Sequence, residues 1–230
     1  MKVVILAGGL GTRLSEYTKK IPKPMVKICK IPIIHRIVNI YAKYGFNDFI
    51  VAGGYKFKII KSYFKKNPIK NININVIDTG LNSLTAKRLF LLKSFLKNET
   101  FMLTYGDGLS DIDINKLYNF HIKNKKMITI TAVHPQARFG ELELNKNIVK
   151  KFEEKPQLKS GWINGGFFVV EPSFYKFIKK KNEMLEKEPI QRAVKKKLVA
   201  AYKHEGFWYC MDNLRDKKVL EKYYEEKVFY

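Results

Sequence analysis

The sequence predicts an α/β fold with a mixed, mostly parallel central sheet and helices on both faces. Three observations carry the prediction. Short β-branched runs alternate with helix-spaced segments through the first 133 residues. Several of those runs end in glycines, as strands feeding ligand-binding loops do. Beyond them the rhythm shifts to shorter strands, which adds antiparallel members to the sheet.

Residues 3–6 form a β-branched run that ends at Gly8-Gly9, a buried strand entering a glycine loop. Residues 32–44 place Ile33, Ile37, Ile40, Tyr41 and Tyr44 at helical spacing, with Gly45 as the stop. Residues 49–52 and 72–77 read as strands, with a helix over 55–63 between them. Leu84, Leu89, Leu92 and Leu96 mark a helix over 83–96. Residues 101–105 are a strand ending at Gly106-Asp107-Gly108, followed by a helix over 112–124 and a strand over 127–133. Shorter strands follow at 140–144, 149–153 and 164–170. The last third adds helices at 173–180 and 189–197, a strand near 199–202 and a helix over 214–226. No repeat, low-complexity linker or domain boundary interrupts the chain, so residues 1–230 read as one domain.

Composition narrows the function. The 230 residues carry 44 Lys+Arg against 21 Asp+Glu, a formal charge of +23. Only six of those bases are arginine, at 13, 36, 88, 138, 192 and 215. Arginine is the better reader of bases and phosphates, so the lysine excess reads as solvated surface and no specific nucleic-acid partner is expected. Cys29 and Cys210 are too few for a disulfide scaffold or a four-thiolate metal site, which fits a reducing setting such as the cytoplasm. No apolar run approaches the roughly 20 residues of a membrane span. The four histidines show no metal-ligand spacing.

Three stretches carry chemistry. In Leu6-Ala7-Gly8-Gly9-Leu10-Gly11-Thr12-Arg13-Leu14 the glycines let backbone N–H groups approach phosphate oxygens, and Arg13 adds charge. It is neither a P-loop nor a full dinucleotide fingerprint, because no Gly-Lys-Ser/Thr follows and Leu14 stands at the third glycine. Asp107, between two glycines at a strand end, suits Mg²⁺, which prefers one or two carboxylates plus substrate phosphates. Glu153-Glu154-Lys155-Pro156 and Asn164-Gly165-Gly166 offer a cation and a close-approach turn. On residues alone Lys23, between Pro22 and Pro24, reads as a surface lysine. Asp111 and Asp113 read as helix starts, and Asp212 as an N-cap to the last helix.

The combination resembles the sugar-phosphate nucleotidyltransferase family over nearly the whole chain. The carriers are the loop 6–14, Pro22-Lys23-Pro24-Met25, Gly106-Asp107-Gly108, Glu154-Lys155-Pro156, Asn164-Gly165-Gly166 and Asp212. Within the family it is most similar to the branch that uses CTP and glucose 1-phosphate. That similarity rests on residues 78–85 (Asp-Thr-Gly-Leu-Asn-Ser-Leu-Thr), Arg138-Phe139-Gly140, Glu188-Pro189 and the run from Gly206 to Asp216.

The resemblance implies a Rossmann-like nucleotidyltransferase fold and a Mg²⁺-dependent cytidylyltransferase. CTP and a phosphorylated acceptor would give a CDP-linked product and pyrophosphate, by in-line attack without a covalent enzyme intermediate. The acceptor would be a sugar 1-phosphate such as glucose 1-phosphate, a precursor of capsule or lipopolysaccharide in a bacterium. Alternatives are a non-sugar phosphate such as phosphorylated L-glutamine, or a non-catalytic nucleotide-binding module.

By carry-over, Leu6, Ala7, Gly8, Gly9, Gly11, Thr12, Ser83, Arg88 and Gly106 bind the nucleotide. Arg13 and Lys23 stabilise its phosphates, and Asp107 and Asp212 hold the metal. Lys155, Asn164 and Gly165 receive the acceptor. Two departures from the family pattern bear on the acceptor. Ala86-Lys87 replaces a glycine pair, and residues 65–75 form a short bridge where the family has an insert. In the family that insert contributes to subunit contacts and to the acceptor side, so its shortening weakens what the resemblance implies about a homo-oligomer and the acceptor.

Overall fold

The computed structural model describes residues 1–137, 139–154, 156–158, 161–179 and 182–227. Thirteen strands and seven α-helices follow in order. They are β1 (Lys2–Ala7), α1 (Ser15–Thr18), β2 (Lys27–Ile28), β3 (Ile31–Pro32), α2 (Ile33–Ala42), β4 (Asp48–Gly53), α3 (Phe57–Lys66), β5 (Asn73–Asp78), α4 (Thr85–Leu91) and β6 (Phe101–Tyr105). The chain continues through β7 (Gly108–Ser110), α5 (Ile114–Asn124), β8 (Ile128–Val133), β9 (Glu141–Asn145), β10 (Ile148–Glu153) and β11 (Ile163–Val170). It ends with α6 (Glu188–Lys195), β12 (Val199–His204), β13 (Trp208–Cys210) and α7 (Leu214–Lys227).

Seven strands form the central sheet in the order β12-β8-β11-β6-β1-β4-β5. All neighbouring pairs are parallel except the two made by β11, which runs antiparallel to β6 and to β8. The mixed, mostly parallel sheet is therefore the one the sequence predicts.

Side-chain alternation along the strands builds two cores from one sheet. On β1, Val3 and Ile5 face one layer, and Val4 and Leu6 the other. The first layer is covered by α2, α3, α5 and α7, through Ile33, Ile37, Tyr41, Ile60, Phe64, Leu117 and Leu220. The second is covered by α4 and α6, through Ala86, Leu89 and Ala193. Sandwiched between helices, β1 is apolar along its whole length beyond Lys2, as a doubly covered parallel strand must be.

Two expected helices differ. The segment over 83–96 is α4 followed by a separate 3₁₀ turn, Lys93–Leu96, with Leu92 between them at φ −89° and ψ 0°. The segment over 173–180 is a 3₁₀ stretch, Pro172–Phe177. There Phe174 and Phe177, three apart, stack at 6.1 Å and are both buried. A three-residue repeat puts them on one face. Among the described residues no helix is long and apolar enough to cross a membrane.

Candidate active site

β1 is flanked by β4 on one side and β6 on the other, so the chain reverses its direction of travel across the sheet at β1. A crevice opens past the strand ends at such a point. The register Leu6↔Tyr105 brings the loop after β1 beside the Gly106-Asp107 turn after β6. A cavity of about 600 Å³ lies there. It is lined by every site residue the sequence nominated among the described residues: Leu6, Ala7, Gly8, Gly9, Gly11, Thr12, Arg13, Lys23, Ser83, Arg88, Gly106, Asp107, Asn164, Gly165 and Asp212.

Asp107 and Asp212 meet because of a short ribbon. β7 pairs antiparallel with β13, Cys210 opposite Gly108, and the Met211 N–H donates to the Asp107 carbonyl at 3.0 Å. That ladder fixes the two carboxylates at its open end. Asp212 does not cap α7. Asn213 does: its Oδ1 accepts from the Asp216 N–H at 3.1 Å, and the Asp216 carboxylate accepts from Asn213 and Asp212 N–H at 2.9 and 2.7 Å. This reciprocal capping box leaves the Asp212 side chain to the cavity. Asp113 does cap α5, by accepting from the Lys116 N–H, whereas Asp111 instead pairs with His204 at 3.0 Å.

Lys23 is not a surface lysine. The 3₁₀ turn Lys23–Met25 follows Pro22 and aims the ammonium between the carboxylates. Its Nζ donates to Asp107 at 2.6 Å and to Asp212 at 2.8 Å. Burial pulls the Lys23 ammonium downward, but Asp107 and then Asp212 outweigh it and hold it above the ordinary lysine value. Burial likewise pushes the Asp212 carboxyl up, while Lys23 and then Arg13 bring it net below the ordinary range. Arg13 completes the cluster with an ion pair to Asp212, its side chain 75% exposed on the cavity side.

The glycine loop is shaped from below. Arg88 is only 3% exposed. Its guanidinium donates to the carbonyls of Gly53, Gly80 and Gly8, each at 2.9 Å, to that of Leu81 at 3.2 Å, and to the Thr79 hydroxyl at 2.7 Å. A Cβ on Gly8 would fall 2.1 Å from the guanidinium carbon. Gly8 is thus required by the packing of Arg88. Gly11 is required by its backbone, with φ at +65°.

Over residues 2–216 the sequence matches the Nucleotidyl transferase family. The chain belongs to that family. It is 40% identical to the glucose-1-phosphate cytidylyltransferase of Salmonella typhimurium, over 98% of this chain and 96% of that protein. It is 37% identical to the probable glucose-1-phosphate cytidylyltransferase of Bacillus subtilis, over 98% and 97%. Among solved structures it is similar to a putative glucose-1-phosphate thymidylyltransferase from Bacillus anthracis. The TM-score is 0.78 at 20% identity, with 97% of this chain and 94% of that one covered, a likeness of fold.

As a nucleotidyltransferase the chain brings together residues that the sequence did not assign. Tyr105 donates to Glu186 at 2.7 Å, and the other Glu186 oxygen accepts from Thr85 at 2.7 Å. Asn164 reaches the Tyr105 hydroxyl at 3.3 Å. This chain of bonds ties the start of α4 to the start of β11 across the cavity. The tyrosine stands directly before Gly106 and was readable as part of that motif; Glu186 had no signal in sequence. Trp208 donates to the Gly165 carbonyl at 2.6 Å and fixes the turn after Asn164.

Arg88 lines the cavity, but its donors are engaged by backbone and the Thr79 hydroxyl, so it shapes the glycine loop from beneath. Ala86 is buried in the second core, and neither it nor Lys87 lines the cavity. Ser83 lines the cavity and is mostly buried, its hydroxyl donating to the Thr79 carbonyl. Lys155 and Arg138 lie outside the described residues.

Proposed function

We propose that this nucleotidyltransferase is a cytoplasmic cytidylyltransferase that transfers CMP from CTP to glucose 1-phosphate and releases pyrophosphate. The observation that supports the reading furthest is the 40% identity to a glucose-1-phosphate cytidylyltransferase across 98% of the chain. The same stretch includes every residue that lines the cavity.

The chemistry the cavity can do is positioning and charge neutralisation. The loop 8–12 receives the phosphates against open backbone, and at Gly9 a Cβ would meet nothing within 4 Å. Arg13 faces the charge that develops on the departing pyrophosphate. Lys23 stands where it can turn from the carboxylates to a phosphate oxygen. Asn164 and Gly165, held by Tyr105 and Trp208, form the acceptor side, and Lys155 is assigned to the acceptor phosphate.

A divalent ion fits the donor set, because two carboxylates converge and a cation, the Lys23 ammonium, is already held between them. Asp107 and Asp212 would hold Mg²⁺, which neutralises triphosphate charge and polarises the phosphoryl group. With neither Ala86 nor Lys87 among the residues that line the cavity, a sugar 1-phosphate is the first acceptor proposed and phosphorylated L-glutamine the alternative.

The test is pyrophosphate release with Mg²⁺, scanned over CTP, UTP and dTTP against glucose 1-phosphate and phosphorylated L-glutamine. CTP with glucose 1-phosphate is expected to turn over fastest. Faster turnover of UTP or dTTP removes the base assignment, and faster turnover of phosphorylated glutamine removes the acceptor assignment.

A further inference from the structure

The carboxylate pair has a third neighbour of different chemistry. Cys210 ends β13, opposite Gly108 in the ribbon, one residue beyond Asp107 in register and two before Asp212 in sequence. Its Sγ and one oxygen from each aspartate all lie within 4.8 Å of one another. The same ladder that fixes the carboxylates fixes the sulfur, so the three donors are carried by one rigid ribbon. All three line the cavity. A positive charge is already drawn to this spot, since the Lys23 ammonium lies 2.6 and 2.8 Å from the two carboxylates.

Two oxygens suffice for a hard ion. Mg²⁺ takes oxygen ligands in near-ideal octahedral geometry and keeps several waters, so the thiol has nothing to offer it. Borderline and soft ions differ: Zn²⁺, Cd²⁺ and, to a lesser degree, Co²⁺ gain from sulfur. We propose that Asp107, Cys210 and Asp212 form a mixed sulfur–oxygen site that binds thiophilic divalent cations through all three residues, in place of the Lys23 ammonium, the Cys210 thiol releasing its proton to solvent as the ion binds. Such an ion competes with Mg²⁺ for the carboxylates and blocks the site at concentrations far below those at which Mg²⁺ binds. The inference rests on reading the carboxylate pair as a cation site.

The test uses the full chain with Cys29→Ser, so that Cys210 is the one thiol. Co²⁺ is titrated in the absence and in the presence of CTP, and the near-ultraviolet absorption is followed. A sulfur-to-cobalt charge-transfer band saturating at one ion per chain is expected, and its loss in the further variant Cys210→Ser. Cd²⁺ affinity, measured by calorimetry, is expected to fall roughly tenfold or more in Cys210→Ser, since even outer-shell partners are worth that much. Mg²⁺ affinity is expected to change little. Cys210→Ala, checked for an unchanged melting curve, repeats the measurement without a new hydroxyl.

Cobalt binding with no band under either condition overturns the proposal, as does a Cd²⁺ affinity that Cys210→Ser leaves unchanged. If none of the three ions binds, the cation-site reading fails and takes the proposal with it. A band in a chain that does not transfer CMP refutes the cytidylyltransferase reading and supports the sulfur site.

Discussion

Arg88 offers the sharpest perturbation, because two roles predict opposite results. In the structure its guanidinium makes five hydrogen bonds, four to carbonyls at the end of β4 and on the segments after β1 and β5, and one to the Thr79 hydroxyl. Burial lowers its pKa from the ordinary arginine value. Arg88→Met keeps much of the volume and removes every donor. Charged hydrogen bonds are each worth about 1.5–3 kcal/mol, but the acceptors are not all stranded. The Gly8 carbonyl keeps the Tyr55 N–H at 3.2 Å and the Gly53 carbonyl keeps the Thr79 N–H at 2.9 Å. Leu81 is 53% exposed, so water can replace the bond there. The variant also no longer desolvates a cation.

The net loss is then about 4 kcal/mol, well short of the sum of five bonds. For a chain of this length that is a fall of roughly 10 °C in melting temperature. The assay pairs thermal unfolding by circular dichroism with the KM for CTP. Arg88→Lys is the control, since a single ammonium cannot reach carbonyls on three segments and should recover less than half of the loss. The reasoning is refuted if Arg88→Met melts within about 2 °C of the parent, KM for CTP rises and Arg88→Lys restores it. That pattern belongs to a cation reading the triphosphate directly.

Three further outcomes are expected. Asp107→Asn should lower Mg²⁺-dependent pyrophosphate release at least about a hundredfold, read in a coupled assay; activity within tenfold of the parent would show that the second carboxylate suffices. Asp216→Ala removes the reciprocal half of the α7 capping box and should cost about 1 kcal/mol, or roughly 3 °C on melting; no change on melting would mean that Asn213 alone holds the helix start. The third concerns pH. Asp212 is held below the ordinary carboxyl range, so its contribution to stability is present above about pH 4 and lost as pH falls through its lower folded value. Lys23 is held above the ordinary ammonium value, so its contribution is complete below about pH 10 and lost only as pH rises past its folded value. The melting difference between parent and Lys23→Met should therefore stay constant from about pH 5 to 9, and a difference that closes within that window contradicts the ion-pair reading.

Much of the fold was legible because its signals are local. Buried runs such as residues 3–6 and 101–105 and the helix spacing of 32–44 depend on neighbours in sequence, and each element lies where the pattern puts it. The glycine loop and Asp107 were legible for the same reason, at the ends of strands that happen to be adjacent. Lys23 and Asp212 were not legible on their own residues, because their roles are set by the β7–β13 ribbon. Three-residue strands leave too weak a pattern to read, and on local evidence an aspartate before a helix is a cap. What frees it is Asn213 taking the cap, a choice made one residue later. Glu186 was hidden entirely: it lies in a segment without periodicity, and only docking against Thr85 and Tyr105 gives it a place.

The charge cluster in the cavity is balanced within the protein itself, as a site proposed to receive anions requires. Two carboxylates, Asp107 and Asp212, face two cations, Lys23 and Arg13, so the local charge sums to zero in the free protein. If a triphosphate enters with a divalent ion, as proposed, Asp107 and Asp212 would hold that ion, and Lys23 and Arg13 would be free to face the phosphates. Every charge would then exchange one partner for another, and none would be left bare in a partly buried space, where an unpaired charge costs several kcal/mol. Such an exchange asks the long side chains to move while the aspartates' backbones stay fixed. A hydrogen-bonded ribbon and a capping box hold the backbones of Asp107 and Asp212, whereas the charged ends of Lys23 and Arg13 are held by their ion pairs to those carboxylates. On this argument shortening a cation harms catalysis more than folding, and loosening the ribbon harms both.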